Sequence, residues 1–170
     1  MKIDVNYAGL VDQGNYWEYV DNLKSDGDLT IELEKPLRVG GNIHAGGGIK
    51  AGGGIKAVGW IEAVGGIEAG RWIEAGSGIE AGGWIEAGGG ITSGGGINSG
   101  LQIGCSAELR VSGRIFAGIC SYRELRESEK EIVCGRLVAG EVAYGKLIET
   151  GGIDEKKTLT ELVYETIVQA

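Results

Sequence analysis

Five glutamates recur at six-residue intervals, Glu62, Glu68, Glu74, Glu80 and Glu86, and the single histidine, His44, falls in the same phase upstream of them. A row of carboxylates could serve as a general acid–base pair with split pKa values or as an oxygen cage for Ca²⁺. Both need a cleft that desolvates or gathers the carboxylates. Here each glutamate stands alone between Ile and Ala in an Ile-Glu-Ala unit, so the row reads as a solvated acidic surface. His44 occupies the equivalent slot and reads the same way, which leaves nothing to build a triad or a His-rich metal site. Cys105, Cys120 and Cys134 are an odd number without CxxC spacing and read as reduced, mostly buried thiols of a cytoplasmic protein. The glycine clusters lack GxxxxGK[ST] and its strand-to-helix context. The residues therefore point to no catalytic group, no cofactor and no metal. What remains is Trp60, Trp72 and Trp84, at a position that elsewhere is mostly Gly. They read either as a contact surface or as covers for the glycine corners of neighbouring units.

The elements that position these side chains come from one repeat. From Gly40 to Gly100 a six-residue unit recurs with almost no drift, and a short fixed period means stacked coils. Taking the aliphatic residue as the origin, Ile31, Leu37, Ile43, Ile49 and every sixth residue to Ile115 are Ile or Leu. Two residues later stand Leu33, Val39, the alanines from Ala45 to Ala87, then Ser93, Ser99, Cys105, Val111 and Ala117. That separation puts both side chains on one face of an extended segment, so each unit is a short strand with a large and then a small residue inward. The following Gly-Gly supplies the unusual dihedrals of a tight corner. The fold class is all-β, a parallel β-helix of hexapeptide sides with short capping elements at both ends.

Two coil lengths fit the period. A triangular coil of about 18 residues stacks Glu32 on Lys50, Lys50 on Glu68 and Lys56 on Glu74, contacts between opposite charges about 4.8 Å apart. A flattened, two-sided coil of two hexads instead stacks Glu62, Glu74 and Glu86 in an unbroken run, yet it alone would align the three tryptophans in one ladder. The charge columns favour the triangular form, with five to six turns.

Glycine makes up 34 of the 170 residues but follows the hexad and not collagen's third-residue rule. The net charge of −8 argues against nucleic-acid and anionic-membrane surfaces. No apolar run reaches membrane-spanning length, and MKIDVNYAGL lacks the apolar core of a signal peptide. Residues 1–28 read as an N-terminal cap: Ile3, Val5 and Tyr7 alternate as a strand, and Tyr16, Tyr19, Val20 and Leu23 have helical spacing. The regular solenoid covers 29–118, a charged loop or short helix 119–132, and an irregular final coil 133–153. Residues 154–170 read as a closing cap, helix or strand, with a Thr158/Glu161 capping box for a helix but strand composition in LVYETIV.

The segments GGNIHAGGGIKAGGGIKA and WIEAGSGIEAGGWIEAGGGI resemble the IxAGGxI runs of the flagellar assembly protein A family and, more distantly, bactofilins, both Gly-rich right-handed parallel β-helix families of bacteria. The resemblance covers about residues 29–118. It implies a cytoplasmic, non-enzymatic scaffold that assembles with itself or a protein partner through its coil ends or faces. Left-handed β-helix acyltransferases also use hexapeptides, but they place the small inward residue before the aliphatic one, where Arg71 stands relative to Ile73. The expectation is thus a structural or protein-interaction solenoid, possible oligomerisation by coil ends or a tryptophan face included. A carbohydrate- or other surface-binding module using exposed Trp60, Trp72 and Trp84 is the second reading, and a hexapeptide acyltransferase the last.

Overall fold

A computed structural model describes residues 1–151, and within them each Ile-x-Ala hexad forms one three-residue strand. Ile43–Ala45, Ile49–Ala51 and Ile55–Ala57 are consecutive strands that do not pair with one another. Each pairs in parallel with the third strand after it: Ile43 with Ile61, Ile49 with Ile67, Ile55 with Ile73. Three hexads therefore close one coil, and the solenoid is three-sided. The first face begins at Lys2–Ile3 and ends at Lys146–Glu149 as an eight-stranded sheet, more coils than the five to six that the hexads alone suggest. The other two faces are joined by the ten-residue strand Glu108–Ala117, which runs through a corner and pairs with Ile91–Ser93 at one end and Ile97–Ser99 at the other.

The lumen holds what the period placed there. Ile43, Ile55, Ile61, Ile67 and their equivalents through Ile115 are fully buried, with the alanines stacked beside them. Branched Ile suits an extended, half-enclosed backbone, and Ala keeps the lumen narrow enough to pack without voids. The small inward slots that carry hydroxyls are satisfied: Ser93 Oγ donates to the Ser77 and Gly96 carbonyls at 3.2 and 3.1 Å, and Ser99 Oγ to that of Gly83 at 2.8 Å. A buried hydroxyl without such a partner would cost on the order of 1–3 kcal/mol.

The glycine corners work by a different physical rule from the one their composition suggests. No glycine between Gly27 and Gly113 has a positive φ. The corners are glycine because the coils touch there: Gly76 N–H donates to the Ala57 carbonyl at 3.0 Å and Gly83 N–H to that of Gly65 at 2.9 Å. A Cβ at Gly76, Gly94 or Gly100 would stand well inside 3.0 Å of the backbone oxygen one coil below. Inter-coil hydrogen bonding thus continues around the bends, which satisfies backbone groups that an ordinary loop would leave to water.

Two further expectations are corrected. The helix read over Tyr16–Leu23 does not form. Trp17–Tyr19 is a coil strand paired in parallel with Leu37–Val39 and covered by Val11–Asp12 as an antiparallel cap, while Leu23–Ser25 is the strand beneath Ile43–Ala45. The helical spacing arose by coincidence from two adjacent coil strands: Tyr19, in register with the inward Val39, and Leu23 pack on the core, while Val20 is exposed at the corner between them. The phase of the first coil also differs: Leu29, not Ile31, lies beneath Ile49, and Ile31 lies beneath Ala51. The Leu33–Pro36 bend is two residues longer than a regular corner, so the first steps exceed three hexads and Glu32 bonds Lys2 at 2.8 Å rather than Lys50. The charged excursion contains a 3₁₀ turn, Glu127–Lys130, and the coil resumes at Glu131 with Ile132 above Ile103. The cap proposed for 154–170 lies outside the described residues.

Candidate interaction surface

On the outer columns the charges fall as a coil of three hexads requires. Lys50 bonds Glu68 at 3.2 Å, Lys56 bonds Glu74, and His44 Nδ1 lies 3.4 Å from Glu62. The five glutamates are split among three faces: Glu62 beside Glu80, Glu68 beside Glu86, and Glu74 beside Thr92. Glu62 and Glu80 line one hollow beside Tyr122, and among the described residues no group of three His, Cys, Asp or Glu side chains could hold a metal ion.

The three tryptophans stand at three different corners, immediately before Ile61, Ile73 and Ile85. Each indole lies over a glycine of an adjacent coil. A Cβ at Gly54 would meet Trp72 Cε2 at 2.6 Å, one at Gly66 would meet Trp84 Cε2 at 2.7 Å, and Gly78 lies under Trp60. The structure thus does not bring the indoles together as one ladder. It gives them the covering role and leaves Trp60 and Trp84 close to half exposed.

Trp84 alone joins a larger feature. The 119–126 excursion leaves the coil at the corner between the third and first faces, where the Ile119 and Cys120 N–H groups donate to the Ser99 and Gly100 carbonyls. It then turns back along that corner, and Tyr122 lines a groove of about 530 Å³ with Val64, Trp84 and Leu101 over a floor of glycines. The groove runs along the solenoid axis past Glu68 and Lys50 to Asp28. On the other side of Tyr122 a second hollow, lined by Ile119, Glu62 and Glu80, adjoins it. Val64 and Tyr122 are 66% and 76% exposed, which makes this corner an apolar ridge; Val58 and Trp60 are also exposed, at another corner.

The arm carrying Tyr122 is braced. Arg123 grips Glu129 through two nitrogens at 2.6 and 2.9 Å, and Glu129 also accepts the Arg126 N–H at 2.9 Å. These bonds hold the Glu129 carboxyl down at about 2, the Arg123 side chain first and the Arg126 amide second. The thiols divide likewise. Burial pushes Cys105 up to about 12, with nearby Cys134 adding to it, and burial raises Cys134 too. At Cys120 desolvation also pushes upward, but the neighbouring Tyr122 and Arg123 outweigh it and leave the thiol below its ordinary value.

Searches of family models, curated proteins and solved structures return no match to this chain. The surface is thus read from its own residues. Tyr122, Val64 and Leu101 were not singled out by sequence, although one signal was present: Val58 and Val64 are the aliphatic residues in a corner slot held by glycine at Gly46, Gly52, Gly70, Gly76 and Gly82. Tyr122's placement depends on how the excursion folds back, which no periodicity encodes.

Proposed function

We propose that the protein is a non-enzymatic scaffold, a rigid β-solenoid that recruits protein partners through its outer surface. The observation that carries this reading is the apolar ridge at the corner where the excursion folds back, where Val64, Trp84, Ile119 and Tyr122 are each exposed by more than two fifths. Most rungs have glycine at this corner slot, as at Gly46 and Gly82, so the exposed Val64 exceeds what the rung requires, while Trp84 covers Gly66 and still leaves part of its indole exposed. Exposed apolar groups in one patch are costly in water and mark contact sites. A rod whose coils are locked by hydrogen bonds presents such a patch without reorganisation. The resemblance to the flagellar assembly protein A family and bactofilins supports the same cytoplasmic, scaffolding reading. A sugar-binding face would need aligned indoles, and the three corners separate them.

The test is site-specific photocrosslinking in cells, with benzoylphenylalanine replacing Tyr122 or, on another corner, Glu108. The scaffold reading expects protein adducts of discrete mass from position 122 and none from 108; equal adducts or none from both would refute it. Light scattering of the purified protein and of a Trp60/Trp72/Trp84→Ala variant then identifies the partner's kind. A mass that rises with concentration in the parent and not in the variant makes it a second copy.

A further inference from the structure

We infer that the groove beneath Tyr122 receives an extended, basic segment of a partner protein, lying along the solenoid axis with an apolar side chain between Trp84 and Tyr122. This rests on the scaffold reading and adds the occupant's chemistry. Three features specify it. The groove spans the coils from Asp28 to Leu101, about 19 Å at ~4.8 Å per coil, the length of roughly six extended residues. Its floor is glycine, so the partner backbone can approach closely, while Val64, Trp84, Leu101 and Tyr122 form an apolar wall at one end. Carboxylates stand along both sides: Asp28 and Glu68 in the groove, Glu62 and Glu80 across the Tyr122 ridge.

Three cations stand nearby: Lys50 is bonded to Glu68, Arg123 to Glu129, and the Met1 ammonium donates to the Asp28 carbonyl at the far end of the groove. Lys50 matches Glu68 and the Met1 ammonium stands beside Asp28, so the carboxylate excess rests on Glu62 and Glu80 next to Tyr122; added to the chain's net charge of −8, it favours a cationic ligand and disfavours an acidic one. Alternating Lys and Leu in an extended strand would put its leucines toward the wall and its ammonium groups toward water and the glutamates. The braced arm means that Tyr122 is in place before the ligand arrives.

The experiment titrates full-length protein with the amidated hexapeptide (Lys-Leu)₃, recording ¹H–¹⁵N NMR spectra. The expected result is a single cluster of shifted signals comprising the Trp84 indole and the Gly65, Gly83, Leu101 and Tyr122 amides. Affinity should fall at least tenfold between 50 and 500 mM salt, and (Glu-Leu)₃ should produce no shifts. Tyr122→Ala should weaken binding at least fivefold with its melting temperature unchanged, which separates a lost contact from a lost fold. Shifts scattered over Glu74 and Glu86, equal binding by the Tyr122→Ala protein, or no shifts at millimolar peptide would overturn the proposal. So would shifts at Trp84 from cellohexaose with none from the peptide, which would assign the groove to a sugar. If the peptide fails while photocrosslinking from position 122 still yields discrete adducts, the occupant is wrong and the scaffold reading stands.

Discussion

The middle coils and the terminal coils of this molecule obey different rules. From Leu37 to Cys105 every step between paired strands is three hexads, as from Leu37 to Ile55 and from Ile85 to Ile103, and no glycine has a positive φ. Outside that stretch the steps vary. They are two residues longer at the start, where Leu23 meets Ile43; they lengthen across the whole excursion from Ile103 to Ile132 and shorten from Ile132 to Leu147. There the positive-φ glycines appear: Gly9, Gly14, Gly118, Gly140, Gly145 and Gly151. In the middle, glycine is demanded by the coil beneath at corners such as Gly76, Gly94 and Gly100, with Val58, Val64 and the open Gly52 as exceptions. At the ends it is demanded by the backbone's own twist. The contrast teaches that the hexad is enforced by contact between coils, and that where this contact relaxes the chain gains the freedom to build a braced arm.

That comparison can be broken by substitution. The largest effect is expected for Ile67→Asp, which puts an unpaired charge in the lumen and should abolish the folded state in circular dichroism. Gly94→Ala should follow, at about 1–3 kcal/mol, because the new methyl meets the Gly76 backbone and a hydrogen-bonded corner has no room to give. Gly145→Ala tests the other rule. With φ at +111° it should cost a comparable amount through the backbone itself, with its methyl also pressed against the Lys130 carbonyl. Gly52→Ala is the counter-case: no atom lies within 4 Å of its Cβ and its φ is ordinary, so denaturation should show no loss or a gain of up to about 1 kcal/mol. Glu68→Ala, which loses an exposed pair with Lys50 and a like-charged neighbour in Glu86, should move the melting curve by less than about 0.5 kcal/mol.

Two solution measurements sharpen the account of the arm. A carboxyl held below its unfolded value near 4.5 contributes above that value and loses its contribution as pH falls through about 2, so the Arg123–Glu129 brace should persist through mild acid. The amide signals of residues 119–126 should therefore keep their pattern from pH 7 to 4 and lose it only near pH 2. Iodoacetamide at neutral pH should modify Cys120 alone in the native protein, since Cys105 and Cys134 are buried and burial raises both thiols.

The period made the lumen legible: an aliphatic and a small residue two apart can share only one dry face, and Ile55 and Ala57 lie there. The coil length was legible through charge, because Lys50 over Glu68 and Lys56 over Glu74 make sense only when three hexads close a turn. The first coil was misread because Ile31 and Leu33 are both aliphatic, so the phase slip in the Leu33–Pro36 bend leaves no polar residue stranded inside to reveal it. The corner glycines were assigned the wrong cause because composition cannot distinguish a residue needing unusual φ from one needing no Cβ. The groove was least legible, since Asp28, Val64, Trp84 and Tyr122 meet only after five coils have stacked and the arm has folded back.

The central claim is the three-sided coil, because the corners, the separated indoles and the axial groove all follow from it. Spin labels at Arg38 and Arg110, in a Cys120→Ser background, measure it by electron dipolar spectroscopy. The two positions lie four coils apart in one outward column, which predicts a separation of about 19 Å at ~4.8 Å per coil. A separation of about 29 Å, the value for six coils of a flattened two-sided solenoid at the same rise, would contradict it.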